Sequence, residues 1–125
     1  MNETEGTLAI SAHPSPGGVV VLRLAGELDH HTGPRLGHVV ENLLHSTGTG
    51  AGAGIVADLS RLHYCDSTGI TTIITAHDRA QATGSSFCVA APSPAIVQLF
   101  RMTGLDQILT SHPSVEDAVD ALSNR

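Results

Sequence analysis

Hydrophobic and polar positions follow two rhythms along this chain. Short β-branched runs bounded by turn residues read as strands. Longer stretches with apolar residues three and four apart read as helices. Leu8 to Ala12 is a short first strand, and His13-Pro14-Ser15-Pro16-Gly17-Gly18 is a turn by its Pro and Gly content. Val19 to Ala25 (VVVLRLA) is the clearest strand, and the shortness of the turn before it predicts an antiparallel hairpin. Gly26 to Thr32 follows as a polar loop. Pro34 then opens a helix capped by Thr32 or Gly33. Its Leu36, Val39, Val40, Leu43 and Leu44 share one apolar face.

Ile55 to Leu59 reads as a buried strand, and Ile70 to Ala82 as a helix. The helix stands against local propensity, because Ile70-Thr71-Thr72-Ile73-Ile74-Thr75 is β-branched throughout. Ile70, Ile73, Ile74, His77 and Ala80 nevertheless keep helical spacing, so packing is expected to override propensity. Gly84 ends this helix, and Ser86 to Ala90 is another strand. Ser93-Pro94 caps a short helix with Ile96, Leu99 and Phe100 inward and Gly104 at its close. Ile108-Leu109 reads as a last strand. Ser114 to Asp117 resembles a capping box that starts a final helix, with Val115, Ala118, Val119 and Leu122 on its inner face.

The order β-β-α-β-α-β-α-β-α implies a single α/β domain over residues 1–125. Its sheet is mixed and mostly parallel, with four to five strands, an N-terminal antiparallel hairpin and about four helices. Residues 1–6 are polar and expected to fray. Residues 46–54 (STGTGAGAG) suggest a phosphate-binding loop at first sight, but such loops run from a strand into a helix. This one runs from a helix into a strand and reads as a flexible connector. In parallel sheets functional loops gather at the carboxyl ends of strands. Gly26 to Thr32 and Tyr64 to Gly69 qualify. If their strands are neighbours, Asp29, His30, Asp66 and Ser67 share one face.

Composition narrows the function classes. The chain has 125 residues, 41% of them hydrophobic, with one Tyr, two Phe and no Trp, so its core must be aliphatic. The formal net charge is −6 and every cation is an Arg. Without a basic cluster or aromatic platforms, nucleic-acid binding is disfavoured, and an acidic surface suits a basic protein partner. Cys65 and Cys88 form no CxxC and suggest neither a disulfide framework nor a zinc ribbon. No apolar run approaches the ~20 residues of a membrane span, and the N-terminus lacks a basic leader-like region, so a cytoplasmic protein is expected.

The chain is organised around Tyr64-Cys65-Asp66-Ser67-Thr68-Gly69-Ile70. Asp66 and Ser67 favour helix N-caps. A hydroxyl there is accessible and lies at the positive end of a helix dipole, where added negative charge is tolerated. Ser67 is therefore either an ordinary capping residue or a phosphorylation switch read by a partner. Ser67, His30 or His31, and Asp29 also supply the inventory of a hydrolase triad. However, there is no G-x-S-x-G elbow, and Asp29 adjoins His30 awkwardly for orienting its ring, so no enzyme is expected. Adjacent histidines rarely ligate one ion, so neither a metal nor a cofactor is expected.

Gly26-Glu27-Leu28-Asp29-His30-His31-Thr32, followed by Asp66-Ser67-Thr68-Gly69-Ile70, resembles the STAS-domain anti-sigma factor antagonists of the sporulation stage II AA type. Ser93 to Phe100 and Thr103-Gly104-Leu105 are also similar to that family, and the resemblance covers roughly Leu8 to Leu122. It implies a STAS-like domain that binds an anti-sigma factor, itself a serine kinase of the GHKL ATPase type. The family serine matching Ser67 is phosphorylated by that kinase, and a PP2C-type phosphatase removes the phosphate. The unphosphorylated form captures the kinase and frees a sigma factor. Asp29, His30, Thr32, Asp66, Thr68 and Gly69 would then contact the partner. Thr68 stands where near relatives often have a second Ser, and offers a competing hydroxyl. Tyr64 and Cys65 replace other apolar residues. Some STAS domains serve in stressosome or transporter complexes, which is the alternative role.

Overall fold

The β-branched run that local propensity assigns to a strand is helical. A computed structural model of the chain describes residues 2–5, 7–45 and 54–124, the first segment by its backbone. Strands β1 (Asn2–Glu5), β2 (Leu8–Ser15) and β3 (Val19–Leu28) precede helix α1 (Gly33–His45). Then come β4 (Gly54–Cys65), α2 (Ser67–Ala82), β5 (Phe87–Ala90), α3 (Pro94–Thr103), β6 (Ser111–His112) and α4 (Val115–Ser123). Among the described residues the sheet has six strands, in the order β1-β2-β3-β4-β5-β6. The β1-β2 and β2-β3 pairs are antiparallel, and β3-β4, β4-β5 and β5-β6 are parallel. This is the expected α/β class, with the N-terminal hairpin and, among the described residues, four α-helices.

The period-2 alternation of β3 divides the core. Val20, Leu22 and Leu24 face the layer that holds Leu36, Val40, Ile70, Ile73 and Phe100 of α1, α2 and α3. Val19 and Val21 face the opposite way and pack with Val56, Cys88, Ala118 and Leu122 under α4. In α2, helix propensities cost ~0.5 kcal/mol for each β-branched residue, or roughly 3 kcal/mol over the run. Burying Ile70 and Ile73 and packing Ile74 on the core returns ~5 kcal/mol, so burial wins. The hydroxyls of Thr71 and Thr72 donate to the Ser67 and Thr68 carbonyls at 3.1 and 3.0 Å, and are thereby satisfied within the helix.

Four expectations need correction. The sheet has one strand more than the four to five expected, because Asn2–Glu5 pairs with β2; an edge strand needs only a neighbour's free backbone groups and no apolar side chains. Gly26, Glu27 and Leu28 belong to β3, so the polar loop begins at Asp29; likewise β4 continues through Tyr64 and Cys65. Ile108-Leu109 is not a strand. Gly104, with φ 76°, turns the chain into a 3₁₀ turn at Leu105–Gln107, and Leu109 N donates to the Leu105 carbonyl at 2.9 Å. The last strand forms three residues later, where Ser111 and His112 register with Val89 and Ala90. The Gly-rich connector lies outside the described residues except for Gly54, which opens β4.

Candidate functional site at the carboxyl ends of β3 and β4

Parallel pairing brings the two motif loops together. Leu28 registers with Cys65 as the last pair of the β3-β4 ladder, and Asp66 N donates to the Leu28 carbonyl at 3.2 Å. Asp29 and Asp66 therefore leave adjacent strands side by side. On its other side β3 passes the backbone of Thr7 and Leu8 at Gly26. This glycine has φ 116°, and a Cβ there would lie 1.9 Å from the Thr7 carbonyl oxygen, so only glycine fits.

The first loop is built on Asp29. Its Oδ1 accepts from the amides of His31 at 2.9 Å and Thr32 at 3.0 Å. The Thr32 hydroxyl accepts from Asp29 N at 2.9 Å and donates to the Glu27 carbonyl at 2.9 Å, with Asp29 Oδ1 3.2 Å away. The Thr32 amide, above all, holds the Asp29 carboxyl below its ordinary range, against a smaller opposing effect of burial. His30 and His31 project outward with ring centroids 4.2 Å apart.

The second loop turns directly into α2. Asp66 is the N-cap, and its Oδ1 accepts from Gly69 N at 2.8 Å. Ser67 is the first helical residue; Ser67 and Thr68 are both exposed. Their amides have no intrahelical acceptor, as at every helix start. Together with the helix dipole they make the Ser67 position tolerant of negative charge. Beneath it, a Cβ on Gly69 would lie 2.6 Å from the Leu28 carbonyl oxygen and 2.7 Å from Cys65 Sγ. The start of α2 is thus pressed against the sheet. Burial, with a smaller effect of the Asp66 charge, pushes the Cys65 thiol up to about 12, and burial pushes Cys88 up to about 11. Both are small core residues rather than nucleophiles.

Ser67, Thr68 and His30 are exposed, and Asp29 and Asp66 are half-buried. Thr32 is 3% exposed and Gly69 is buried. The Thr32 hydroxyl is turned to Asp29 and the Glu27 carbonyl, and Gly69 lies against Leu28 and Cys65. For the triad reading, Asp29 Oδ1 is committed to loop amides, and among the described residues no hydrogen bond links Ser67 to a histidine. Among the described residues there is also no group of three or more His, Cys, Asp or Glu able to hold a metal, and no helix long and apolar enough to cross a membrane.

Sequence reasoning missed one feature. A groove of about 520 Å³ runs between α1 and α2 from His30 and Thr68 towards Arg79. Glu41 and Arg79, joined by an ion pair of Arg79 Nε with Glu41 Oε1, line its far end. The signal in the chain was Gly33 and Gly37, one helical turn apart on α1. At Gly33 the helices touch, since a Cβ there would lie 2.8 Å from Thr72 Oγ1. At Gly37 a Cβ would meet nothing within 4 Å.

Comparison with known proteins places this arrangement. Residues 12–118 match the model of the STAS domain. The chain is 29% identical over 106 residues to an anti-sigma F factor antagonist of Paenibacillus polymyxa, an alignment covering 85% of this chain and 86% of that one. A crystal structure of an anti-sigma factor antagonist from Mycobacterium paratuberculosis superimposes with a TM-score of 0.79 at 26% identity, over 93% of this chain and 94% of that one. The anti-sigma factor antagonist SpoIIAA in its unphosphorylated form gives a TM-score of 0.75 at 23% identity, over 93% and 97% of the two chains, a likeness of fold.

Proposed function

This chain belongs to the STAS-domain family, and on that premise we propose that it is an anti-sigma factor antagonist switched by phosphorylation of Ser67. The observation that carries the reading is the position of Ser67. It is the first residue of α2, exposed, on a start fixed by the Asp66 cap and by the contact of Gly69 with the sheet. The name of the Paenibacillus relative supports the partner class.

The unphosphorylated form binds an anti-sigma factor that is also a GHKL-type serine kinase, and so frees a sigma factor. In the complex, the kinase transfers the γ-phosphoryl group of ATP to Ser67 Oγ. The hydroxyl proton leaves to a base of the kinase, and ADP is released. The product carries about −1.5 to −2 charge at Ser67, beside the carboxylates of Asp66 and Asp29. Within the protein the open amides of α2 offset this charge, so the fold survives. Across the interface a dianion replaces a neutral hydroxyl and must be desolvated, which costs several kcal/mol and ~100-fold or more in affinity. A PP2C-type phosphatase returns the serine by attack of water on phosphorus, releasing inorganic phosphate. His30, Thr68 and the half-buried Asp29 and Asp66 are the groups near Ser67 that a partner meets, while Thr32 and Gly69 act through the loops they hold.

The test is incubation with purified GHKL-type anti-sigma factor kinases and MgATP, followed by intact-mass measurement and site mapping. One phosphate on Ser67, and none on a Ser67→Ala variant that still binds the kinase, is expected. Phosphate on Thr68 alone, or no kinase that binds the chain, overturns the reading.

A further inference from the structure

The surface immediately around Ser67 is polar: Asp29, His30, His31 and Asp66. A stable protein interface buries about 800 Å² per partner, equivalent to a disc of ~16 Å radius, and needs a dehydrated apolar centre. Residues next to the hydroxyl do not supply one. The α1-α2 groove does. Thr68, the neighbour of Ser67, lines its mouth. From Thr68 to Arg79 the groove follows α2 for about 16 Å at 1.5 Å per residue. A partner centred on Ser67 with a standard footprint reaches along the groove as well.

The floor consists of Val40 and Ala76, 1% and 4% exposed. Thr72 adds little polarity, because its hydroxyl is already committed to the Thr68 carbonyl. Gly37 leaves the wall of α1 bare, with open space where a side chain would stand. A groove of this length between two helices matches an amphipathic helix that inserts apolar residues three and four positions apart. We propose that the α1-α2 groove receives an amphipathic helix of the same kinase that reads Ser67. The inference rests on the reading of the chain as an anti-sigma factor antagonist. The groove supplies apolar contact, and Ser67 at its mouth supplies the switch.

Gly37 provides the test. Gly37→Leu fills the groove from α1 without meeting existing atoms at its Cβ, and Gly37→Ala is the control. Affinity for a GHKL-type kinase that binds the wild-type chain is measured by titration calorimetry, with thermal melts as a check on folding. Gly37→Leu should bind at least ~10-fold more weakly, and Gly37→Ala within ~3-fold of wild type. Thr75→Arg, at an exposed groove position on α2, should lose affinity similarly and serves if Gly37→Leu does not fold. Hydrogen exchange on the kinase should show protection of one helix with apolar residues at three- and four-residue spacing. Wild-type affinity in folded Gly37→Leu or Thr75→Arg, or protection of a non-helical kinase segment only, overturns the groove proposal. Failure of every kinase to bind the wild-type chain removes the antagonist reading itself.

Discussion

Two glycine-to-alanine substitutions in this protein should change stability in opposite directions. Neither Gly37 nor Gly69 has a left-handed backbone, so strain at φ plays no part. In a helix interior, glycine is less favourable than alanine by up to ~1 kcal/mol. At Gly37 that gain stands alone, because the new Cβ meets nothing within 4 Å. Gly37→Ala should therefore stabilise the fold by about 0.5–1 kcal/mol. At Gly69 the new Cβ would lie 2.6 Å from the Leu28 carbonyl oxygen, 2.7 Å from Cys65 Sγ and 3.1 Å from Leu28 Cγ. Two of these atoms belong to the last residue of β3 and the third to the last of β4, both fixed by the sheet ladder. The helix start must retreat instead. Overpacking of this kind costs ~1–3 kcal/mol, and displacing Gly69 N from Asp66 Oδ1 adds about 1 kcal/mol of lost capping. After the propensity gain, the net loss is about 2 kcal/mol. For a chain of 125 residues that lowers Tm by ~8 °C. Urea and thermal melts of both variants read the signs directly. Gly69→Ala as stable as wild type, or raised like Gly37→Ala, would refute the account of how α2 is seated.

Asp66→Ala should lower stability by ~1 kcal/mol through loss of the N-cap, and should slow phosphorylation at Ser67 more than it weakens binding; a kinase assay under saturation separates the two. Asp29 has a folded pKa below its ordinary 3.8, so the order it gives its loop is fully present above the unfolded value and lost as pH falls through the folded one. An NMR pH titration should therefore show the His31 and Thr32 amides moving with a midpoint below 3.8; a midpoint at or above it contradicts the Asp29 turn. Cys65 and Cys88, with thiols pushed up to about 12 and 11, should resist a maleimide at pH 8 in the native protein and react once it is unfolded. Rapid native labelling of either would contradict their burial.

Features written in local sequence were readable in advance. The Ser93 and Ser114 caps accept from Ile96 N and Asp117 N as their spacing predicts, and the isoleucine spacing of α2 outweighed its β-branched composition. Features decided by distant atoms were not readable. β3 and β4 lengthen because each continues the other's ladder, and β1 forms because β2 leaves an edge free. Thr32 looks like a polar loop residue until its hydroxyl is placed on the Glu27 carbonyl. Gly69 looks like part of a recognition motif until Leu28 and Cys65 are placed beneath it. The groove depends on two helices that the sequence never sets side by side.

The central claim is that phosphate on Ser67 alone switches the partner off. Calorimetric titration of the kinase with unphosphorylated and stoichiometrically Ser67-phosphorylated protein tests it most directly. The account predicts that the phosphorylated form binds ~100-fold or more weakly while keeping a native melt; equal affinities for the two forms would contradict it.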